Sequence, residues 1–336
     1  MQNNYPLVSI IIPVKDSNLY IKICVESILS QTYSNIETII YNNSSSDDTI
    51  PIAKKIMPGA KIINSKVNHF VGPAFNRAMK ECHGKYIVLV CADVILDSKF
   101  IENAVNKCEI NTKIGVLQPK ILKFDLKNST VTKSTTIDTT GFLIYKNGRI
   151  INRGHGDTDT NQFAEGQMFS YEGASPFFRK KALDDALING ELFDEDFVWM
   201  AEDIDLGWRL TNLGWLNYYS PDVISWHDRK TTKRISSNKF DFIRLRKSVP
   251  TNKRRLDFQN IILTYVKNLP WASLKKHFIS IFLRQAQLMM YIILLEPTSI
   301  SAFWGIIKKF PSILRKRHSL MQRIKISSDG LERWII

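Results

Sequence analysis

The chain has 336 residues, 44% of them apolar and 23% charged, which is enough for one large or two modest domains and excludes a collagen-like, low-complexity or broadly disordered protein. Its four cysteines, Cys24, Cys82, Cys91 and Cys108, contain no C-x-x-C pair, which argues against a zinc or disulfide framework and for a reducing compartment. Charge is unevenly placed: 23 Lys and Arg face 27 Asp and Glu before Arg229, then 23 face 5, so a slightly acidic body precedes a strongly basic last third.

In chain order, residues 8–12 form a β-branched apolar run closed by Pro13, and predict a buried strand. Residues 20–29 set Ile21, Cys24, Val25, Ile28 and Leu29 on one helical face. A second strand is expected over 36–41, followed by NNSSSDDT, where Ser46 or Asp47 can cap the next helix. A short third strand over 61–63, a helix over 73–82 and a fourth strand over 86–90 complete a strand–helix alternation. That pattern predicts a parallel sheet with helices on both faces and ligands beyond the carboxyl ends of its strands. Those ends carry Pro13-Val14-Lys15-Asp16, Asn42-Asn43 and Cys91-Ala92-Asp93. The polar stretch 125–166 reads as an irregular insertion with a hairpin. Helices are expected over 179–187 and over 201–213, the latter stopped by Gly214.

Beyond Arg229 the pattern changes to basic, aromatic-studded helices. Residues 277–295 are the most apolar, but Arg284, Gln285 and Gln287 interrupt them, which favours an interfacial or buried amphipathic helix over a spanning one. Basic clusters flank it: Lys253-Arg254-Arg255, Lys275-Lys276, Lys308-Lys309 and Arg315-Lys316-Arg317. Such an asymmetry suits a polyanionic neighbour, and an anionic membrane surface is expected. No nucleic-acid partner is expected, because no helix-turn-helix, zinc-finger or RNP signature accompanies the charge. The opening MQNNYPLVSI lacks the regions of a secretory signal, so a cytoplasmic location, peripheral at the inner face of the plasma membrane, is expected.

Two features carry chemistry. The acids from Asp194 to Asp205 are dense, and on a helix Glu202 and Asp205 share a face while Asp203 diverges by ~100°. One carboxylate can then serve as a base while the others bind hydroxyls or cap the helix. Asp93 follows an apolar strand and suits a hard cation bridging a diphosphate; His227, in Ser225-Trp226-His227-Asp228, is either a further ligand or a structural histidine.

Together these segments resemble the family 2 glycosyltransferases of GT-A fold. The resemblance runs through VSIIIPVKDS, ICVESILSQTY, IETIIYNNSSSDDT, NHFVGPAFNRAMKECHGKYIVLVCADVIL, GASPFFRKKAL, GELFDEDFVWMAEDIDLGWRLTNLGW and SWHD, in order, over roughly residues 7–270. FQNIILTYVKNLP is similar to a segment of the rhamnosyltransferase-like branch. The resemblance implies an α/β fold, a Rossmann-like mixed sheet flanked by helices, with a basic helical C-terminal region. It divides the chain into a catalytic domain at 1–228, with a nucleotide-sugar half at about 1–120 and an acceptor half at about 121–228, and a region at 229–336 that associates with membrane.

It also implies the reaction: inverting, Mg- or Mn-dependent transfer of a hexose from a dTDP- or UDP-linked donor, with rhamnose favoured. The acceptor would be a saccharide or a lipid-linked glycan, in bacterial cell-surface polysaccharide synthesis. Pro13, Asn42, Asn43 and Asn76 would line the nucleotide site, and Arg77 would contact a phosphate or stand solvated. Asp93 and His227 would hold the metal and Asp203 would be the general base. Glu202 and Asp205 would position the acceptor or support the helix start. Trp199, Trp208 and Trp215 are candidates for stacking on sugars, with core roles for at least two. Two positions depart from the family pattern: Asn42 replaces the usual Asp of the second-strand turn, and Cys91 replaces the first acid of the DxD-type motif. They leave open a second reading, an inactive relative that binds a sugar nucleotide or a partner at the membrane.

Overall fold

A computed structural model of the chain describes residues 5–229, 246 and 248–336. The residues up to 90 fold as expected, into β1 (Val8–Val14), α1 (Ile21–Leu29), β2 (Ile36–Asn42), α2 (Thr49–Ile56), β3 (Lys61–Asn64), α3 (Val71–Ala78) and β4 (Tyr86–Leu89); β5 (Val94–Leu96) and α4 (Phe100–Ile110), which the sequence reading did not place, follow. Strands β2, β1 and β4 pair in parallel, with Ile10 opposite both Thr38 and Val88. Both faces of β1 are covered, so it reads as an unbroken apolar run. One cap differs from expectation: Asp48 occupies the N-cap of α2, while Asp47 accepts a hydrogen bond from the Thr49 N–H (3.1 Å).

The second half adds β6 (Ile114–Lys127), β7 (Thr130–Thr139), β8 (Phe142–Ile144), β9 (Ile150–Asn152), β10 (Gly166–Gln167), β11 (Phe177–Arg179), α5 (Lys180–Asp185), α6 (Glu202–Asn212) and β12 (Leu216–His227). Among the described residues the main sheet runs β10-β12-β6-β11-β4-β1-β2-β3, with β5 on β12 and β7 on β6. Strand β11 runs antiparallel between β4 and β6, which makes the sheet mixed. The stretch expected to be irregular is therefore largely ordered: β7 extends the sheet against β6, and β8 and β9 form a separate hairpin.

The last third forms α7 (Thr251–Asn268), α8 (Trp271–Leu295), α9 (Ser301–Met321) and the short α10 (Ser328–Glu332). The start of the basic region, 230–245 and 247, lies outside the described residues. Helices α7 and α9 pack together, and Lys267 and Asn268 of α7 reach under α6. Helix α8 is apolar on both sides. Leu274, Ile281, Leu288 and Ile292 pack inward beside Ser273 and His277, whereas Phe278, Ile279, Phe282, Leu283, Met290, Ile293 and Leu294 are exposed. It is long and apolar enough to cross a membrane by length and composition, and it is not the buried core helix that was one of the two expectations.

Candidate functional site

The carboxyl ends of β1 and β2 meet at the rim of the sheet, where Pro13 is half-buried opposite Tyr41. Asn42 Oδ1 accepts from the Ser45 N–H (2.8 Å) and its Nδ2 donates to Asn64 Oδ1 (3.0 Å), so this amide shapes the turn after β2. Asn43 is buried; it accepts from the His69 N–H (3.0 Å) and donates to the Phe70 carbonyl (3.4 Å). Asn76 and Arg77 do not join this rim. Asn76 exchanges hydrogen bonds with both backbone groups of Phe193 (2.8 Å each), and Arg77 donates to the Pro73 carbonyl and pairs with Glu195 (3.2 Å). Both brace the acidic 191–196 segment against α3.

Asp93, between β4 and β5, lies beside His227 at the end of β12, because β5 and β12 pair with Val94 opposite His227. The Oδ2 to Nε2 distance is 3.5 Å. The other imidazole nitrogen, Nδ1, sits 3.0 Å from Asp138, a fully buried residue at the end of β7. Arg229 closes the group, donating from Nε to the same Asp138 oxygen (2.8 Å) and from a terminal nitrogen to Glu172 (2.5 Å). Burial alone would keep His227 neutral, but the hydrogen bonds and charges of Asp138 and Asp93 outweigh it and lift its pKa to about 10. Burial likewise opposes ionisation of Asp93, and His227 reverses the sign, holding that carboxyl below its ordinary value.

Across Arg229 lies the second cluster. Asp203 Oδ2 accepts from the Gly173 N–H (3.1 Å) and Oδ1 from the Ile204 N–H (2.8 Å). Burial first, then the charges of Glu202 and Glu172, push the Asp203 carboxyl well above the usual range. Burial also raises Glu202, to about 7, with Glu172 adding to the shift. The helical-wheel expectation is thereby corrected. Glu202 and Asp203 act on each other at the open end of α6, while Asp205 turns inward. Asp205 is fully buried and accepts from Arg209 (2.8 Å), Lys267 (2.8 Å) and Asn268 (2.7 Å), which serves the support of the helix. Arg209 one turn on in the same helix, together with Lys267 and Asn268 from α7, fixes its direction.

The loop before α6 is strained: Val198, Met200 and Ala201 have φ of 64°, 76° and 67°, in the left-handed region that non-glycine residues avoid. Asn260 of α7, fully buried, holds it by donating to the carbonyls of Phe197 (2.9 Å), Trp199 (2.8 Å) and Met200 (3.0 Å). Of the three tryptophans, Trp208 is core, edge-on to Phe169 and Tyr265. Trp215 is half-buried and donates to Asp185 (3.2 Å). Trp199 stacks on Phe70 with ring centroids 5.9 Å apart, facing a cavity.

Sequence reasoning missed Asp138, Glu172 and Arg229. Glu172 had a signal, a lone acid in the apolar run FSYEGASPFF; Asp138 had none, because its segment was read as irregular. Cys91, in the departed DxD position, points its thiol at the Gly173 carbonyl (3.8 Å), and burial holds that thiol protonated.

The family model for glycosyl transferase family 2 matches residues 9–186. An uncharacterized glycosyltransferase of Rickettsia prowazekii is 41% identical over 107 residues, 31% of this chain and 33% of that protein. The poly-β-1,6-N-acetyl-D-glucosamine synthase of Staphylococcus epidermidis is 26% identical over 204 residues, 60% of this chain and 44% of that one. In both cases the match spans less than half of the relative's length. Among solved structures, a mannosyltransferase from Pyrobaculum calidifontis, in complex with GDP-Man and Mn²⁺, superposes with a TM-score of 0.53 at 15% identity, over 98% of this chain and 84% of that one, a likeness of fold. With its GT-A architecture and a family match over more than half its length, this chain belongs to glycosyl transferase family 2 and is related to polysaccharide synthases.

Proposed function

We propose that the chain is an inverting, metal-dependent hexosyltransferase. It takes a sugar, with rhamnose favoured, from a dTDP- or UDP-linked donor to a saccharide or lipid-linked acceptor in bacterial cell-surface polysaccharide synthesis. The observation that carries this reading is the unbroken line of contacts Asp93–His227–Asp138–Arg229–Glu172, with Asp203 beside its far end. It joins a cation-binding pair to a candidate base through one guanidinium.

Among the described residues no group of three or more His, Cys, Asp and Glu side chains is placed to hold a metal ion. A carboxylate oxygen and an imidazole nitrogen 3.5 Å apart, with the other ring nitrogen fixed by Asp138, suit a cation that would displace the Nε2 proton and take its remaining ligands from a diphosphate. Asp93 and His227 would hold that ion, which when bound would neutralise charge on the leaving nucleoside diphosphate. The remaining steps fall to the chain. The acceptor oxygen attacks the anomeric carbon as its proton passes to Asp203, and the bond to the diphosphate breaks on the opposite face, giving inversion. A carboxyl raised by burial and by Glu172 and Glu202 holds that proton more firmly than a solvated aspartate would. Pro13, Asn42 and Asn43 would border the nucleoside.

The apolar side chains that α8 exposes support a peripheral seat on anionic lipid, with the donor half at about 1–120, the acceptor half at about 121–228 and the 229–336 region nearest the bilayer. The test is calorimetric titration with dTDP and UDP, each with and without Mn²⁺, followed by a turnover assay. Manganese-dependent binding that Asp93→Ala abolishes, and turnover that Asp203→Asn abolishes while binding persists, are expected. Failure of folded protein to bind dTDP, UDP, GDP or CDP would overturn the reading. Binding without turnover in the unaltered chain would favour the inactive relative.

A further inference from the structure

Strand β6 is buried from its first residue through Leu122, and in that run IGVLQPKIL only Gln118 and Lys120 are polar. Lys120 is met by Asp159 and Asn161 (2.8 and 2.7 Å). Gln118 is fully buried, and an amide in such a place costs free energy unless both its ends are paired. Its Nε2 donates to the Pro119 carbonyl (2.8 Å), and its Oε1 accepts from the Glu172 N–H (2.7 Å). The second bond stands where the sheet ladder stops. Strand β11 pairs with β6 at Phe178–Val116 and Phe177–Leu117, and Pro176, at the next position, has no N–H to offer. The Gln118 side chain therefore ties to β6 a stretch that the main chain has left.

The stretch so tied, 170–174, touches both halves of the candidate site. Ser170 Oγ donates to the Asp203 carbonyl (3.1 Å) and the Gly173 N–H to Asp203 Oδ2 (3.1 Å), so the candidate base is gripped at main chain and carboxyl together. On the other side, the Ala174 carbonyl accepts from the Cys91 N–H (2.9 Å), where the chain leaves β4 on its way to Asp93. Glu172 stiffens the turn from within: one carboxylate oxygen accepts from the Ala174 N–H (3.0 Å) and the other from Arg229 (2.5 Å). We infer that Gln118 is a positioning residue for the transfer. By holding Glu172 it keeps the 170–174 stretch, and with it the Asp203 carboxyl, in a fixed relation to the end of β4 that carries Asp93. The inference rests on the transferase reading with Asp203 as the base.

The experiment compares the full chain with Gln118→Met, which keeps the length of the side chain but cannot accept, and with Gln118→Asn, which keeps an amide one methylene too short to reach Glu172. Hydrogen exchange read by mass spectrometry should quicken about fivefold or more in both variants for peptides covering 170–175 and 203–206. The Gly173 and Ile204 N–H groups both donate to the Asp203 carboxyl and report its place; exchange in β1 should be unchanged. Turnover is read as hydrolysis of dTDP-rhamnose and UDP-glucose, with water as the acceptor. Its kcat should fall by at least about tenfold while affinity for dTDP and UDP with Mn²⁺ is kept. The rising limb of kcat against pH should also move to higher pH, because a carboxyl that loses an N–H donor is harder to ionise. A smaller folded fraction would lower that limb without moving it. Unchanged exchange at both peptides, an unmoved limb with parental kcat, equal loss of nucleotide binding, or failure of both variants to fold would each overturn the inference. A parent chain without turnover removes the transferase reading alone, and the exchange arm then decides whether Gln118 holds Asp203.

Discussion

Replacing Asn260 by leucine tests whether the C-terminal helices hold the candidate catalytic acids in place. The Asn260 amide has two hydrogens, shared among three carbonyls at 2.8–3.0 Å. Each net hydrogen bond contributes about 1 kcal/mol, so the clamp is worth about 2 kcal/mol to the loop. It opposes the strain of Val198, Met200 and Ala201, each costing about 1–2 kcal/mol in the left-handed region. Leucine matches asparagine in size but cannot donate. Local opening of the loop should therefore increase roughly 30-fold, the equivalent of 2 kcal/mol. Hydrogen exchange read by mass spectrometry should show this for peptides covering 197–204, with exchange in β1 and β4 unchanged. Turnover, which depends on Asp203 keeping its place, should fall by about two orders of magnitude. Equal exchange over 197–204 in variant and parent would refute the clamp. Uniformly faster exchange, β1 included, would show a general loss of stability instead.

Three further outcomes are expected. Lys267→Met leaves Asp194 and Asp205 buried without their nearest shared cation (2.5 and 2.8 Å), and should cost about 3–5 kcal/mol in denaturant unfolding; a loss under about 1 kcal/mol would mean that Lys316 and Arg209 suffice. Burial raises Glu202 from an ordinary 4.5 to about 7, so the stability tied to its protonated form is full below the unfolded value and is lost as pH rises through 7. Glu202→Gln should remove that decline between about pH 5 and 8, and superimposable stability–pH curves would contradict the assignment. Phe278→Ser with Phe282→Ser removes two exposed rings from α8 and should weaken sedimentation with anionic vesicles by about tenfold or more, whereas unchanged partition would discount α8 as the contact.

The parallel half of the fold was legible because its central strands β1 and β4 are buried on both faces. Runs such as VSIII and YIVL admit little else, and the observed strands begin where expected. In the stretch 125–166 the expected hairpin is present as β8 and β9, but β7 was missed for an identifiable reason. Strands β6 and β7 join at Asn128-Ser129, both at positive φ (47° and 63°), a tight hairpin turn without the glycine that usually announces one. Strand β7, TVTKSTTIDT, buries only its last three residues, so it shows no apolar alternation. Missing it meant missing Asp138, which orients His227. The carboxylates of α6 were legible as a cluster but not in their directions, because Lys267 and Asn268, some 60 residues later in sequence, join Arg209 in turning Asp205 inward.

The same cations change the meaning of the charge asymmetry. An acidic body followed by a basic third reads, in one dimension, as a search for an external polyanion. In three dimensions part of that polyanion is the chain itself. Glu191, Asp194 and Asp196 converge on Lys316, Asp194 and Asp205 on Lys267, and Glu296 on Arg246 and Arg254. Arg317 is spent on the carbonyls of Val266 and Leu269 and on the Trp271 ring. Several members of the basic clusters are therefore internal supports for the acidic segment that leads into Asp203. Among the described residues, Lys275 on α8 and Lys308 and Arg315 on α9 stay exposed. These cations share their helices with exposed apolar side chains such as Phe278, Phe282, Trp304 and Ile307. Lys267, Lys316 and Arg317 thus brace, from behind, the acidic segment that leads into the candidate base.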